Sequence, residues 1–273
     1  MDRNKPLKII LSSIALILFM GGPWINEAFP FWGNLLKGSQ VASETVRLGY
    51  VKGALSEDQI IHLTEMIQKA GDIASVRRNV GRMNLPQKAV LDTFIRIAVR
   101  QGKIPRKEAE TLLRNLGDVP GFRSTLAKTL GVSAAKTKGH LNEIRIASAA
   151  VDNGFNVVRI GGRFDDGIKG GATDIDILLS RGDKLIPIEA KAYDDIVFSS
   201  LATIRGDMNS LVAFRGSSDF PGAIHPIFSF TNRPSNSNVL RAIDKETKKR
   251  GIHVIYGSAQ EQTMQLQHLM DIL

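Results

Sequence analysis

Residues 174–191 read Asp-Ile-Asp-Ile-Leu-Leu-Ser-Arg-Gly-Asp-Lys-Leu-Ile-Pro-Ile-Glu-Ala-Lys. Two apolar runs, Asp174–Leu179 and Leu185–Lys191, flank Ser180-Arg-Gly-Asp-Lys184, a composition that predicts two strands joined by a tight turn. A two-residue turn at Gly182-Asp183 suits type II′, because glycine takes the positive φ of its first position without a Cβ clash. That turn sets a register in which Asp176 stands opposite Glu189, and Asp174 opposite Lys191. Side chains alternate along a strand. Asp174, Asp176, Glu189 and Lys191 are therefore expected on one face, and Ile175, Ile177, Leu179, Ile186, Ile188 and Ala190 on the other. The apolar face predicts a core contact. Two carboxylates set opposite each other repel, and a divalent cation between them turns repulsion into attraction. Hard oxygen donors describe Mg²⁺ (or Mn²⁺). The plainer alternative is a solvated polar face with Asp174–Lys191 as a surface ion pair. Pro187 cannot donate to a ladder, so the second of these strands is expected to have unusual neighbours.

Working outward, Gly139–Asn153 reads as a helix carrying Glu143, and it passes through Gly154 into a strand at Phe155–Ile160. Downstream, Ser199–Arg215 is expected as a helix, Ala223–Asn232 as a strand, 237–250 as a helix and 252–256 as a strand. With Asp176 and Glu189-Ala-Lys191, this order resembles the PD-(D/E)xK nuclease superfamily, whose α/β, restriction-endonuclease-like core is αβββαβ. The resemblance covers about 120 residues. Its motifs are short, and the proline of the first is replaced here by Ile175. The resemblance implies that Asp176 and Glu189 bind Mg²⁺, and that Lys191 orients or activates the attacking water and offsets charge on the phosphorane. It implies that Glu143 reaches in from the first helix to hold a second metal or a metal-bound water. Asp174 is an accessory candidate. The glycine-rich loop Gly161–Gly171, with Arg163 and Lys169, could lie along a phosphate backbone and could equally be a linker. The implied activity is metal-dependent endonuclease cleavage, with DNA the first substrate and RNA or tRNA an alternative. The layout also resembles bacterial toxin or defence effectors, for which an inhibitor or immunity protein is an expected partner.

The chain of 273 residues has a net charge of +9, which suits a polyanionic partner. The excess is uneven: residues 1–135 carry 19 Lys+Arg against 11 Asp+Glu, and the remainder 17 against 16. Absence of cysteine excludes disulfides, thiolate zinc sites and cysteine nucleophiles. The five histidines are scattered, with no pair at metal-ligand spacing. Arg3, Lys5 and Lys8 precede an apolar run from Ile9 to Met20, the layout of a membrane anchor or an exported signal peptide over residues 1–34. A buried hydrophobic helix is the alternative, since twelve residues fall short of the roughly 20 that span a bilayer. Residues 35–135 read as a basic helical module and 136–273 as the nuclease-like domain. In the module, Ser56 with Gln59 forms a candidate capping box ahead of the Ile60, Leu63, Met66, Ile67 stripe. Pro86 and Gly102, then Pro105 and Gly117, punctuate two further helices. Leu126–Leu141 resembles a helix-turn-helix reader, although Thr137 falls on its buried apolar position and Gly139 inside its second helix. A membrane-tethered nucleic-acid-binding protein without catalysis is thus the competing function.

Overall fold

The computed structural model describes residues 55–70, 73–83, 85–131, 133–165, 172–214 and 222–273. The N-terminal hydrophobic segment and Lys169 lie outside the described residues. Among the described residues, no helix is long and apolar enough to cross a membrane.

The helices α1 (Glu57–Ala70), α2 (Ile73–Arg82), α3 (Gln87–Arg100), α4 (Arg106–Leu116) and α5 (Phe122–Lys128) lead into the long α6 (Ala134–Asp152). The Ser56 capping box forms: Gln59 Oε1 accepts from the Ser56 amide at 2.8 Å and Ser56 Oγ from the Gln59 amide at 3.3 Å. Ile60, Leu63 and Ile67 are buried, as their spacing predicts. Pro86 and Pro105 stand at the N-caps of α3 and α4, and Gly102 closes α3 with φ +68°. The buried Arg96 ties α3 to the start of α1, donating to the Leu55 carbonyl at 2.6 Å and to Glu57 at 2.7 Å.

The helix-turn-helix expectation is not met. Gly131 does make the turn, where a Cβ would come within 2.6 Å of the Ile73 nitrogen. The second helix, however, is a core helix. Thr137 is buried and donates to the Thr129 carbonyl at 3.1 Å, and every residue from Leu141 to Ala150 except Arg145 is buried. From Leu141 to Ala150 this helix has no free face for a DNA groove, and before that stretch only its first turn, Ala134–Lys136, is exposed.

After Gly154 (φ +78°) come β1 (Asn156–Asp165), β2 (Ala172–Arg181) and β3 (Lys184–Lys191). A 3₁₀ turn at Phe198–Ser200 runs into α7 (Leu201–Phe214), followed by β4 (Ala223–Ile224), β5 (Ile227–Phe230), α8 (Ser237–Arg250) and β6 (His253–Tyr256). The described strands form one mixed sheet in the order β1-β2-β3-β5-β6, with the short β4 also paired to β3. β1, β2 and β3 are antiparallel, while β3, β5 and β6 are parallel. The single strand expected over Ala223–Asn232 is thus two pieces, broken at His225-Pro226. That break lies abreast of Pro187, whose missing N–H makes a continuous ladder impossible there. A last helix, α9 (Ala259–Ile272), is absent from the sequence-based expectations; Ser258 and Glu261 form its capping box.

Both faces of the sheet are covered. Ile177, Leu179, Ile186, Ile188 and Ala190 join a core that also contains residues of α1 through α6 and α9. Leu178, Phe228 and Phe230 pack with α7 and α8 on the other side. This corrects the expectation of one apolar and one polar face. A sheet with helices on both sides leaves only its ends to water, so polar side chains must gather where strands diverge or terminate.

Candidate functional site

The hairpin register is the expected one for five pairs, Ile177↔Ile188 to Arg181↔Lys184, and Gly182 takes φ +61° in the turn. There the ladder stops. Asp176 and Glu189, and Asp174 and Lys191, are not ladder partners; instead the Asp176 carboxylate accepts the Ala190 amide at 2.9 Å. The two strands fork at this point. β3 turns to β5, pairing Glu189 with Phe228 and Lys191 with Phe230, while Asp174 stays with Arg163 on β1. The fork also ends the strict alternation: Ile175 packs with Leu178 rather than with Ile177 and Leu179.

Glu189 is buried, and its Oε1 accepts from Lys191 Nζ at 2.5 Å. Lys191 Nζ is also 2.8 Å from Asp207 Oδ2 on α7. Glu143, buried on α6, meets His140 Nδ1 at 2.9 Å one helical turn earlier. Glu189 and Glu143 are close enough to raise the proton affinity of Asp176, and Glu143 and Asp207 that of Glu189. Burial, then the charges of Glu189 and Glu143, push the Asp176 carboxyl well above its ordinary range, against the pull of Lys191 and the Ala190 amide. Glu189 is pushed up to about 7, chiefly by burial, with Lys191 opposing. Burial alone would lower the Lys191 pKa, but the carboxylates of Glu189, Asp207 and Asp176 outweigh it and raise the value, so the ammonium stays charged.

The structure therefore brings together Glu143, Asp176, Glu189 and Lys191. It does not bring in Asp174, which is exposed. The ion pairs of Lys191 among the described residues are with Glu189 and Asp207, not with Asp174. Arg163 is exposed on β1. Two residues were missed in the sequence. Asp207 sits on the stripe of Ile204, Met208 and Leu211, all buried, and a lone acid on a buried helical stripe is a readable signal. His140 is three residues before Glu143, a spacing that puts both on one helix face.

Glu189, Asp207 and Asp176 act on one ammonium, with Glu143 near Asp176 and Glu189, so acidic groups outnumber basic ones at this buried site. Hard carboxylate oxygens are the donor type that Mg²⁺ or Mn²⁺ takes, and Asp176 and Glu189, with Glu143 near, are the residues that could hold such a cation. Among the described residues no group of three His, Asp or Glu side chains is placed to hold a metal ion. Compared with known proteins, the sequence matches no family model and no curated relative.

Proposed function

We propose that this chain is a metal-dependent nuclease that hydrolyses phosphodiester bonds, with DNA as its first substrate, on a restriction-endonuclease-like core. The observation that carries the reading is the forked hairpin: buried Glu189 and the withdrawn carboxyl of Asp176 on diverging strands, with Lys191 beside them and Glu143 approaching from α6. The order α6-β1-β2-β3-α7-β5 supports the fold assignment.

Asp176 and Glu189 are the residues that would hold Mg²⁺ or Mn²⁺. A cation bound there supplies Lewis-acid polarisation of the phosphoryl oxygen and a more acidic bound water. The chain's own groups do the rest. The backbone amide of Ala190 fixes the Asp176 carboxylate in one orientation. Asp207 and Glu189 hold the Lys191 ammonium between them, so it acts as a fixed donor and positive charge toward the attacking water or a phosphoryl oxygen, not as a base. His140 orients Glu143.

The test is incubation of the full chain with supercoiled plasmid and with tRNA, in Mg²⁺, Mn²⁺ or EDTA, beside Glu189→Ala. Metal-dependent nicking lost in the variant is expected, and the favoured polymer identifies the substrate. Metal-independent binding without cleavage would support the non-catalytic alternative and end the nuclease reading.

A further inference from the structure

An open cleft of ≈ 490 Å³ lies at the carboxyl ends of β5 and β6, lined in part by Thr231, Asn232, Arg233, Tyr256, Ser258 and Gln265. Lys191, Phe230 and Tyr256 are successive register partners across β3, β5 and β6. Tyr256 thus stands two strand spacings, about 10 Å, from Lys191. Residues in register project to the same side, and the Phe230 ring, fully buried between them, stacks on the Tyr256 ring.

Most polar groups of the cleft already serve the fold. Thr231 Oγ1 donates to the Tyr193 carbonyl at 3.0 Å, and the Asn232 amide to the same carbonyl at 2.8 Å. Gln265 closes on the Tyr256 backbone from both ends, accepting at 3.3 Å and donating at 2.6 Å. Glu261 accepts from the Ser258 amide and hydroxyl, each at 2.8 Å. Two donors are left over among these groups. The Arg233 guanidinium lies 5.7 Å over the Tyr256 ring, and the Tyr256 hydroxyl is buried without a hydrogen-bond partner. A guanidinium packed by its face keeps its N–H edge free for a planar or bidentate acceptor. Burial, then the charge of Asp244, pushes the Tyr256 phenol up to about 12, so it remains a donor. A free guanidinium beside a hydroxyl that can donate suits an anionic oxygen. The Glu261 carboxylate in the same cleft opposes a second negative charge, which favours a phosphodiester over a phosphate monoester.

We propose that Arg233 and Tyr256 form a phosphate subsite that grips the nucleic-acid strand at a phosphodiester neighbouring the one cleaved beside Lys191. The identity of the strand rests on the nuclease reading; the subsite itself lies outside the catalytic cluster and can be tested without metal. The experiment is anisotropy of a short fluorescein-labelled single-stranded DNA with the full chain in EDTA, over a range of salt, for wild type, Arg233→Gln, Arg233→Lys and Tyr256→Phe, each matched in melting temperature. Arg233→Gln is expected to bind about tenfold more weakly. Its salt slope should be shallower by about 0.7, one phosphate contact fewer. Arg233→Lys should keep the slope, and Tyr256→Phe should lose about threefold. Arg233→Gln binding with wild-type affinity and slope, or no binding by wild type, overturns the subsite. Cleavage lost in Glu189→Ala alongside unchanged Arg233→Gln binding would reject the subsite and keep the nuclease. The reverse pair of results would keep the subsite and reject the nuclease.

Discussion

Lys191 draws its role from its neighbours. Its ammonium is within 2.5 Å of Glu189 and 2.8 Å of Asp207, and its positive charge lowers the proton affinity of the Asp176 carboxyl. Replacing it with alanine removes a fixed donor and leaves the carboxylates unopposed, so Lys191→Ala should lower kcat by about 10²–10³-fold. Asp207→Asn keeps the shape and removes one anchor. Its loss should be smaller, near tenfold in kcat with KM little changed, because the ammonium stays but is less well positioned. Equal activity in the Asp207→Asn and wild-type enzymes would show that α7 has no role in placing the lysine. The carboxyls carry a second expectation. Glu189 has a folded pKa raised from 4.5 to about 7, so its ionisation opposes folding when no metal is bound. The stability associated with its neutral form is complete below about pH 4.5 and is lost as pH rises through about 7; Asp176 adds in the same direction. In EDTA, the melting temperature should therefore fall between pH 5 and 7.5. Added Mg²⁺ should restore it most at the upper end, where fewer protons must be displaced. Glu189→Gln should flatten the fall, and a slope unchanged in that variant would place its origin elsewhere.

At the scale of elements, the fork of β2 and β3 decides what a sequence can reveal. The turn glycine and the alternation of apolar residues made the hairpin register legible from Arg181↔Lys184 to Ile177↔Ile188. They gave no sign that the strands diverge at the next residue, because divergence depends on β5 taking the other edge of β3, a contact between segments far apart in the chain. Residue types marked Asp176, Glu189 and Lys191, the family resemblance added Glu143, and Asp207 went unread although it lies on the buried stripe of α7. The expected bounds of α8, 237–250, match the helix, whose caps are Asn236 before it and Gly251 (φ +60°) after it. The final helix went unread although Ser258 and Glu261 form the same box that marked α1. A further element-scale contact is testable. Gly121, with φ +88°, lets the turn before α5 press onto β1, where a Cβ would fall 1.7 Å from the Ile160 carbonyl oxygen. The Ile160 amide in turn donates to the Pro120 carbonyl at 3.0 Å. Gly121→Ala must break this seam and should cost about 2–4 kcal/mol, or roughly 2–4 °C of melting temperature for each kcal/mol. An alanine variant that melts like wild type would mean the seam is slack.

For the molecule as a whole, the charge and motif patterns divide near residue 135, but the buried core does not. Residues 55–273 form one compact unit, and a single apolar cluster runs from Leu55 and Ile60 through Leu112, Phe122 and Leu126 to Ile144, Ile177 and Leu266. Polar contacts cross the same line. Arg145 on α6 pairs with Glu108 on α4 at 2.6 Å, Asn115 donates to the Ser148 carbonyl at 3.1 Å and to Asp152 at 2.9 Å, and Thr137 donates to the Thr129 carbonyl at 3.1 Å. Helix α6 lies between the helices and the sheet, and it carries Glu143. Cutting the chain before residue 136 would strip the side of that helix that carries Arg145, Ser148 and Asp152, and would remove Gly121 from β1. Apolar surface is worth about 25 cal/mol per Å² on burial, so uncovering several large side chains costs an amount comparable to a typical domain's whole margin of about 5–15 kcal/mol. The fragment 136–273 is therefore expected to bind a hydrophobic dye, to melt without a cooperative transition and to lose cleavage. Residues 55–273 should melt in one step, because a core that is continuous unfolds as a unit. Calorimetry and circular dichroism of the two chains decide it: a sharp transition and wild-type cleavage in the shorter one would show that the helices are an appendage to the site, whereas their loss would make the helical half a component of the scaffold that holds Glu143 against the fork.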